Sequence, residues 1–538
     1  MLFNSYIFLF LFLPLTLFGF HFIGKYSKAN LAIAWLVGAS LFFYGWWNPA
    51  YLVLLLFSII FNFTIGVFLS RNSKSNLTHK AALIIGIIIN LSVLGYFKYA
   101  NFFIDNLNFL AETNIILNEI ILPLGISFFT FQQITYLVDA YYQETKEYSF
   151  LHYCLFVTFF PQLIAGPIVH HKEMMPQFLK DTIYKIQSKN LAIGLTIFII
   201  GLFKKVIIAD GISVYSTPVF NAAEAGILLT FFEAWTGALA YTFQLYFDFS
   251  GYSDMAIGIA IMFGIMLPLN FNSPYKATNI SDFWKRWHIT LSRLIRNYLW
   301  DPVSLTLTRF ALNRGYGNLR IFTLTIIFPI LFSFFWIGLW HGAGWNFILF
   351  GFLHGFYIVI FHIWIKFKLN FLDFKLIKNS ILSKSFGWLI TFICVVFAWV
   401  LFRANNLDSA INLYRGMLGI NGYLLPESYL AILNKILGLG NFLEENGFKF
   451  GVPGFFGGIT QIGLIFIVGL IAFIMPNTYQ FMSKNLPEKF ANELDEVKLR
   501  FKLLNWKPSY LFSLLFAVIF SFTILNISKN SEFLYFQF

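Results

Sequence analysis

Long apolar runs separated by short polar clusters organise this chain from end to end. Several runs reach the roughly 20 residues that a helix needs to cross a hydrocarbon core of about 30 Å, so helices are predicted throughout. The cations gather between the runs. Lys25 and Lys28 follow the first run, Arg71, Lys74 and Lys80 follow a double run, and Lys172, Lys180, Lys185 and Lys189 form a third group. By the positive-inside rule these clusters face the cytoplasm, which leaves the N-terminus external. Residues 99–119 and 210–235 carry carboxylates and no cation, and read as external.

Parity adds a constraint. Between the external loop near 110 and the cytoplasmic loop near 180 an odd number of crossings is required, yet two apolar segments lie there, 120–142 and 151–168. One is therefore expected to be broken or re-entrant, with Pro123, Gly125, Pro161, Gly166 and Pro167 supplying the breaks. Irregular backbone survives at membrane depth only where protein or a water-filled cavity satisfies it, so a cavity is implied.

Further along, eight cations between Lys276 and Arg320 face only Asp282 and Asp301, with Trp284, Trp287, Tyr298 and Trp300 interleaved. That is the composition of an amphipathic cytoplasmic segment lying along a membrane interface, and its simplest meaning is a solvated face beside anionic lipid. Two apolar runs then meet at Gly342, a basic loop runs from Lys366 to Lys384, and segment 404–455 reads as external. The count comes to about eleven crossings plus broken helices. The fold expected is an all-α polytopic membrane protein, a single transmembrane domain over 1–538 with both termini external.

Composition agrees. Hydrophobic residues make up 58% of the 538 positions and charged ones 12%, too few to clothe soluble domains, and Phe alone occupies 71. Cys154 and Cys394 both lie in apolar stretches, which excludes a disulfide framework and thiolate metal spacing. The first twenty residues lack a basic leading region and a small-residue cleavage site, and read as an uncut span. The net charge of +12 sits in loops, so nucleic acid is not the expected partner.

Of nine histidines, two are hard to explain as packing. His341 stands in Trp340-His341-Gly342-Ala343-Gly344-Trp345, at a small-residue gap between two apolar runs. An ionisable group there is expensive unless it works or lines a wet cavity, and imidazole suits a general base. The bland alternative is a ring bonded to a carbonyl freed by the glycine break. His288, in Phe283-Trp284-Lys285-Arg286-Trp287-His288, has a stronger bland alternative, since amphipathic interfaces tolerate His. Asp248 and Asp254 flank Gly251 inside an otherwise apolar run. They either line a cavity, pairing with Arg286 or Arg293 or orienting an imidazole, or cap two half-helices meeting at Gly251. Trp287, Arg286 and Trp340 join them as expected substrate-binding residues. The final stretch, 531–538, is a short aromatic tail, either an interfacial anchor or a segment that re-enters the cavity with the Tyr535 phenol. Soluble hydrolase, zinc protease and P-loop signatures are missing from the sequence. A polyanionic donor arriving from the cytoplasm fits the basic approach. A proton-coupled transporter with histidine relays and a non-catalytic scaffold are the competing classes.

The segments 123–132 (PLGISFFTFQ), 160–168 (FPQLIAGPI), Asp248 to Asp254, Trp284 to His288, Trp340 to Gly344 and 399–404 (WVLFRA) together resemble the membrane-bound O-acyltransferases. The resemblance is to the bacterial branch of alginate and peptidoglycan O-acetyltransferases and the teichoic acid D-alanyl transferase. It implies that His341 is the catalytic histidine, His288 a second active-site histidine, and Tyr535 the tyrosine of an acyl-accepting tail. It also implies a ring of helices around a funnel from each side, no bound cofactor, acetyl-CoA as donor, and an external partner of the SGNH-hydrolase type. The expected function is O-acetylation of a cell-envelope polysaccharide at the cytoplasmic (inner) membrane, with peptidoglycan favoured and alginate or D-alanyl transfer as alternatives.

Overall fold

The computed structural model describes every residue except 72–76, 119, 146–148, 372–380, 436–437, 487–489, 491–504, 528–533 and 535–538. Seven described helices are long and apolar enough to cross a membrane: Phe8–Tyr26, Ala50–Arg71, Leu77–Ala111, Ser188–Glu224, Asn318–His341, Trp345–Phe367 and Ile381–Arg403. Three shorter apolar helices accompany them, Ala29–Gly45, Gly458–Ile474 and Tyr510–Leu525. The two longest spans, of 35 and 37 residues, exceed what a bilayer core requires. Each contains a wide π-helical turn, at Gly95–Tyr99 and Lys204–Ala209, the kind of local disturbance that redirects a long helix.

The chain divides into two compact units. The first comprises Met1–Val206, Phe249–Asn270 and Asn477–Phe538. It contains the two segments in one of which parity places a break. Ile126–Tyr141 is a 16-residue helix, but the next helix, Phe150–Thr158, has 9 residues and rises only about 14 Å, half of what a crossing needs. After a kink at Phe159 the chain makes one helical turn, Phe160–Leu163, and then runs without regular structure to His170, buried throughout. Its backbone is satisfied by side chains. The Phe156 carbonyl accepts from Gln132 Nε2 at 3.0 Å and from Gln162 Nε2 at 2.7 Å, and the Phe160 amide donates to Ser40 Oγ at 3.2 Å. Gly125, at φ +70°, starts the preceding helix where a Cβ would lie 2.9 Å from the Leu163 carbonyl.

The second unit comprises Ile207–Asp248 and Phe271–Pro476. Its centre is a helical hairpin, Phe328–His341 followed by Trp345–Phe371, turning at Gly342–Gly344. A Cβ on Gly338 would sit 2.3 Å from the Phe347 carbonyl and one on Gly351 would sit 2.2 Å from the Phe334 carbonyl, so backbone touches backbone. Small residues permit such an approach between membrane helices. Where only helices were expected, segment 404–455 also holds two four-residue parallel strands, Tyr423–Pro426 and Phe448–Gly451. Tyr423 and Phe448 stack across them at 4.7 Å. The buried carboxylate of Glu233 ties the same unit together, accepting from the Thr230 amide at 3.0 Å and the Phe455 amide at 3.0 Å.

Candidate active site

The segment expected to lie along an interface is a chain of short helices, Ile280–Arg286, Ile289–Ile295 and Asp301–Asn313 among them. The Asn279 side chain caps the first, accepting from the Asp282 amide at 2.8 Å. Seven residues later the helix stops, and His288 adopts the left-handed region, φ 44° and ψ 53°. A non-glycine residue there costs of order 1 kcal/mol or more, a strain that clusters at functional sites. Its side chain is 0% exposed, which overturns the idea of a histidine tolerated at an open interface. Its neighbour Trp287 is packed among aromatic rings. Trp287 lies 4.8 Å from the Trp399 ring and 5.1 Å from the Phe271 ring, and Trp399 Nε1 donates to the Tyr275 hydroxyl at 3.2 Å. Burial pushes His288 down to about 3, so its imidazole is neutral at physiological pH.

His341 closes the Phe328–His341 helix and is 5% exposed. Its ring meets Phe402 at 4.9 Å, Phe350 at 5.7 Å and Trp340 at 4.8 Å. Trp340 also lies 5.9 Å from His288. One indole thus touches both histidines, and residues 53 positions apart in sequence share a site. The glycine turn is why this helix ends here and presents an imidazole at its negative end.

The other expected substrate-binding residues divide between the two units. Arg286 donates through Nε to Asp282 Oδ1 at 2.9 Å and through Nη1 to the Asn272 carbonyl at 3.3 Å, while the Asn272 amide returns a bond to the Arg286 carbonyl at 2.9 Å. This guanidinium ties the Asn272 loop to the Ile280–Arg286 helix. Asp248 is buried in the second unit, where its charge and that of Arg403 both act on the Tyr241 phenol. Asp254 belongs to the first unit and pairs with Lys204 at 2.7 Å, with Thr478 Oγ1 donating to the same oxygen at 2.6 Å. Its partner is therefore Lys204 and not Arg286 or Arg293. The capping alternative falls as well, because Phe231–Met262 is one helix running through Gly251. Tyr535 lies outside the described residues, as do Lys74 and Glu119; Leu534 beside Tyr535 is buried.

Two features were not located by the sequence reading. His354, on the Trp345–Phe371 helix, is 0% exposed and accepts from Trp284 Nε1 through Nδ1 at 3.3 Å. An ionisable residue inside an apolar run was the available signal. The second is a cavity of about 760 Å³ in the same unit, walled by Trp284, Ser292, Ser333 and Ile337 and bearing three cations, Lys285, Arg293 and Arg296, against one carboxylate, Asp301. Ile337 is one helical turn, about 6 Å of rise, before His341. Among the described residues no group of three His, Cys, Asp or Glu side chains is placed to hold a metal ion. The arrangement can bind an anionic, partly apolar molecule against cations and bring it towards a general base.

Comparison with known proteins bears on what this site does. Residues 118–402 match the model of the membrane-bound O-acyltransferase family, a stretch that contains both histidines and the cavity. The chain is 44% identical to the peptidoglycan O-acetyltransferase of Helicobacter pylori over 79% of its own length and 81% of that protein. It is 38% identical to the probable alginate O-acetylase of Pseudomonas aeruginosa over 81% of its length and 78% of that protein. It is 29% identical to the teichoic acid D-alanyltransferase of Bacillus subtilis over 52% of its length and 68% of that protein. The chain belongs to the membrane-bound O-acyltransferase family and is a multi-pass membrane acyltransferase.

Proposed function

We propose that this acyltransferase takes an acetyl group from a cytoplasmic thioester, acetyl-CoA, and moves it across the cytoplasmic membrane for O-acetylation of peptidoglycan. The observation that carries the reading is the cavity of about 760 Å³, whose three cations suit the phosphates of such a donor and whose wall reaches within one turn of His341. His341 takes the proton of the attacking hydroxyl, the hydroxyl oxygen bonds to the thioester carbonyl carbon, the carbon–sulfur bond breaks, and the proton passes to the departing thiolate. His288, neutral and fixed by its strained backbone, offers a hydrogen bond at the reacting centre without adding charge. Trp340 holds the two rings in register.

The first acceptor in this reading is the Tyr535 phenol, with both termini external. From there the acetyl group passes to a serine of an external SGNH-hydrolase-type partner and then to a sugar hydroxyl. The peptidoglycan acceptor is favoured by the 44% identity to the H. pylori protein, and alginate is the alternative supported by the 38% identity to the P. aeruginosa protein.

The test is to supply the protein in lipid with radiolabelled acetyl-CoA and map covalent label by mass spectrometry. Label on Tyr535 that is lost in His341→Ala and in Tyr535→Phe is the expected result. Glycan acetylation that persists without any labelled protein would remove the tyrosine relay. Acetylation that survives His341→Ala would favour a scaffold, and solute or proton flux without acetylation would favour a transporter.

A further inference from the structure

We infer that His354 is a positioning residue that holds the Trp284 indole as a wall of the donor cavity, and so sets how tightly the donor is gripped. The inference rests on the assignment of that cavity to the acyl donor. Trp284 is the residue through which His354 reaches the cavity: its Nε1 donates to His354 Nδ1 at 3.3 Å, and its ring stands perpendicular to the imidazole at 5.1 Å. The indole also packs edge-on against Phe334, another cavity residue, at 4.9 Å. His354 is itself held on several sides, lying parallel to Phe283 at 2° and 6.2 Å, and meeting Phe350 at 4.8 Å and Trp399 at 6.0 Å. Phe350 in turn touches His341. An aromatic path therefore joins the base to the cavity wall, with His354 at its middle.

The direction of the hydrogen bond defines the chemistry. A ring nitrogen that accepts carries no proton, so the neutral imidazole bears its hydrogen on Nε2. That Nε2 has no hydrogen-bond partner among the described residues, which leaves Nδ1 as the working atom. If the acceptor is removed, a buried indole N–H is left unsatisfied, and the ring is expected to rotate into the cavity in search of a partner.

The experiment uses the full chain in lipid nanodiscs with four variants: His354→Phe, which removes the acceptor; His354→Asn, whose amide oxygen replaces Nδ1; His354→Gln, whose amide reaches only the Nε2 position; and Trp284→Phe. The expected result is a rise in KM for acetyl-CoA of about tenfold in His354→Phe and His354→Gln with kcat within about twofold, and recovery in His354→Asn. Adding Trp284→Phe to His354→Phe should raise KM no further than Trp284→Phe alone. Incorporated 5-fluorotryptophan supplies a readout that does not depend on turnover. The ¹⁹F resonance assigned through Trp284→Phe should shift in His354→Phe and return in His354→Asn. A Trp284 resonance indifferent to His354, or one that shifts while KM stays unchanged, overturns the inference. Coupling in the ¹⁹F spectrum in a protein that never uses acetyl-CoA would instead reject the donor assignment and leave the hydrogen bond standing.

Discussion

Gly338→Ala tests whether the backbone contact in the central hairpin sets the position of His341, the proposed base. A single methyl group at Gly338 would be built 2.3 Å from the Phe347 carbonyl oxygen, whereas an ordinary contact lies at 3.4–4 Å, so the two helices must part by about 1 Å. His341 ends the same helix three residues later, and it follows whatever that helix does. Overpacking of this size costs about 1–3 kcal/mol of stability, too little to unfold most proteins outright. A displacement of about 1 Å at a reacting group, by contrast, costs on the order of 100-fold in rate. Gly338→Ala is therefore expected to reach the membrane in folded form, melt a few degrees lower, and lose about 100-fold in kcat for acetyl transfer with donor KM little changed. The assay is initial-rate acetyl transfer at several donor concentrations beside a thermal melt of the same preparation. Gly463→Ala is the control, since a Cβ there meets nothing within 4 Å in the apolar helix Gly458–Ile474. Wild-type kcat in Gly338→Ala, or an equal loss in Gly463→Ala, would refute the reasoning.

Other expectations follow from burial. His288 is pushed down to about 3 from an ordinary value of 6.5, so above pH 6.5 it is neutral folded or unfolded and stability is unaffected. Between 6.5 and 3 only the unfolded chain takes the proton, and stability falls as pH falls, by about 2 kcal/mol at pH 5. The slope of melting temperature against pH below 6.5 should accordingly be shallower in His288→Gln, and identical slopes would count against a buried neutral ring. The Lys204 and Asp254 side chains are 13% and 3% exposed, so breaking the pair with Asp254→Asn or Lys204→Met should cost about 3–5 kcal/mol. The double variant should recover much of that loss in thermal unfolding. A double variant as unstable as the sum of its parents would mean that the two charges are not coupled.

Much of the site's vocabulary was readable before the fold, and much of its grammar was not. His341 announced itself because an ionisable residue at a glycine break between two apolar runs has few inexpensive explanations. Parity pointed to a break in 120–142 or 151–168 because topology counts crossings, and the short 9-residue helix with its glutamine-capped carbonyl lies in the second of these. By contrast, Asp254 was read with the wrong cation. Its partner Lys204 is 50 positions away and Thr478 is 224 away, and nothing local distinguishes these from other polar residues. His354 was passed over because its value comes from one bond to Trp284 across 70 positions.

The sequence by itself determined that the chain lives in a bilayer, roughly where it crosses, where it breaks and which family it resembles. All of these depend on hydropathy, proline, glycine and motif order, which act over one or two turns. Only the tertiary structure decided that His288 is turned left-handed and sealed from solvent, that one indole links it to His341, and that the basic segment folds over a cavity. It also decided which charges meet. Those outcomes depend on which side chains exclude water from which others, and burial is a property of the packed whole.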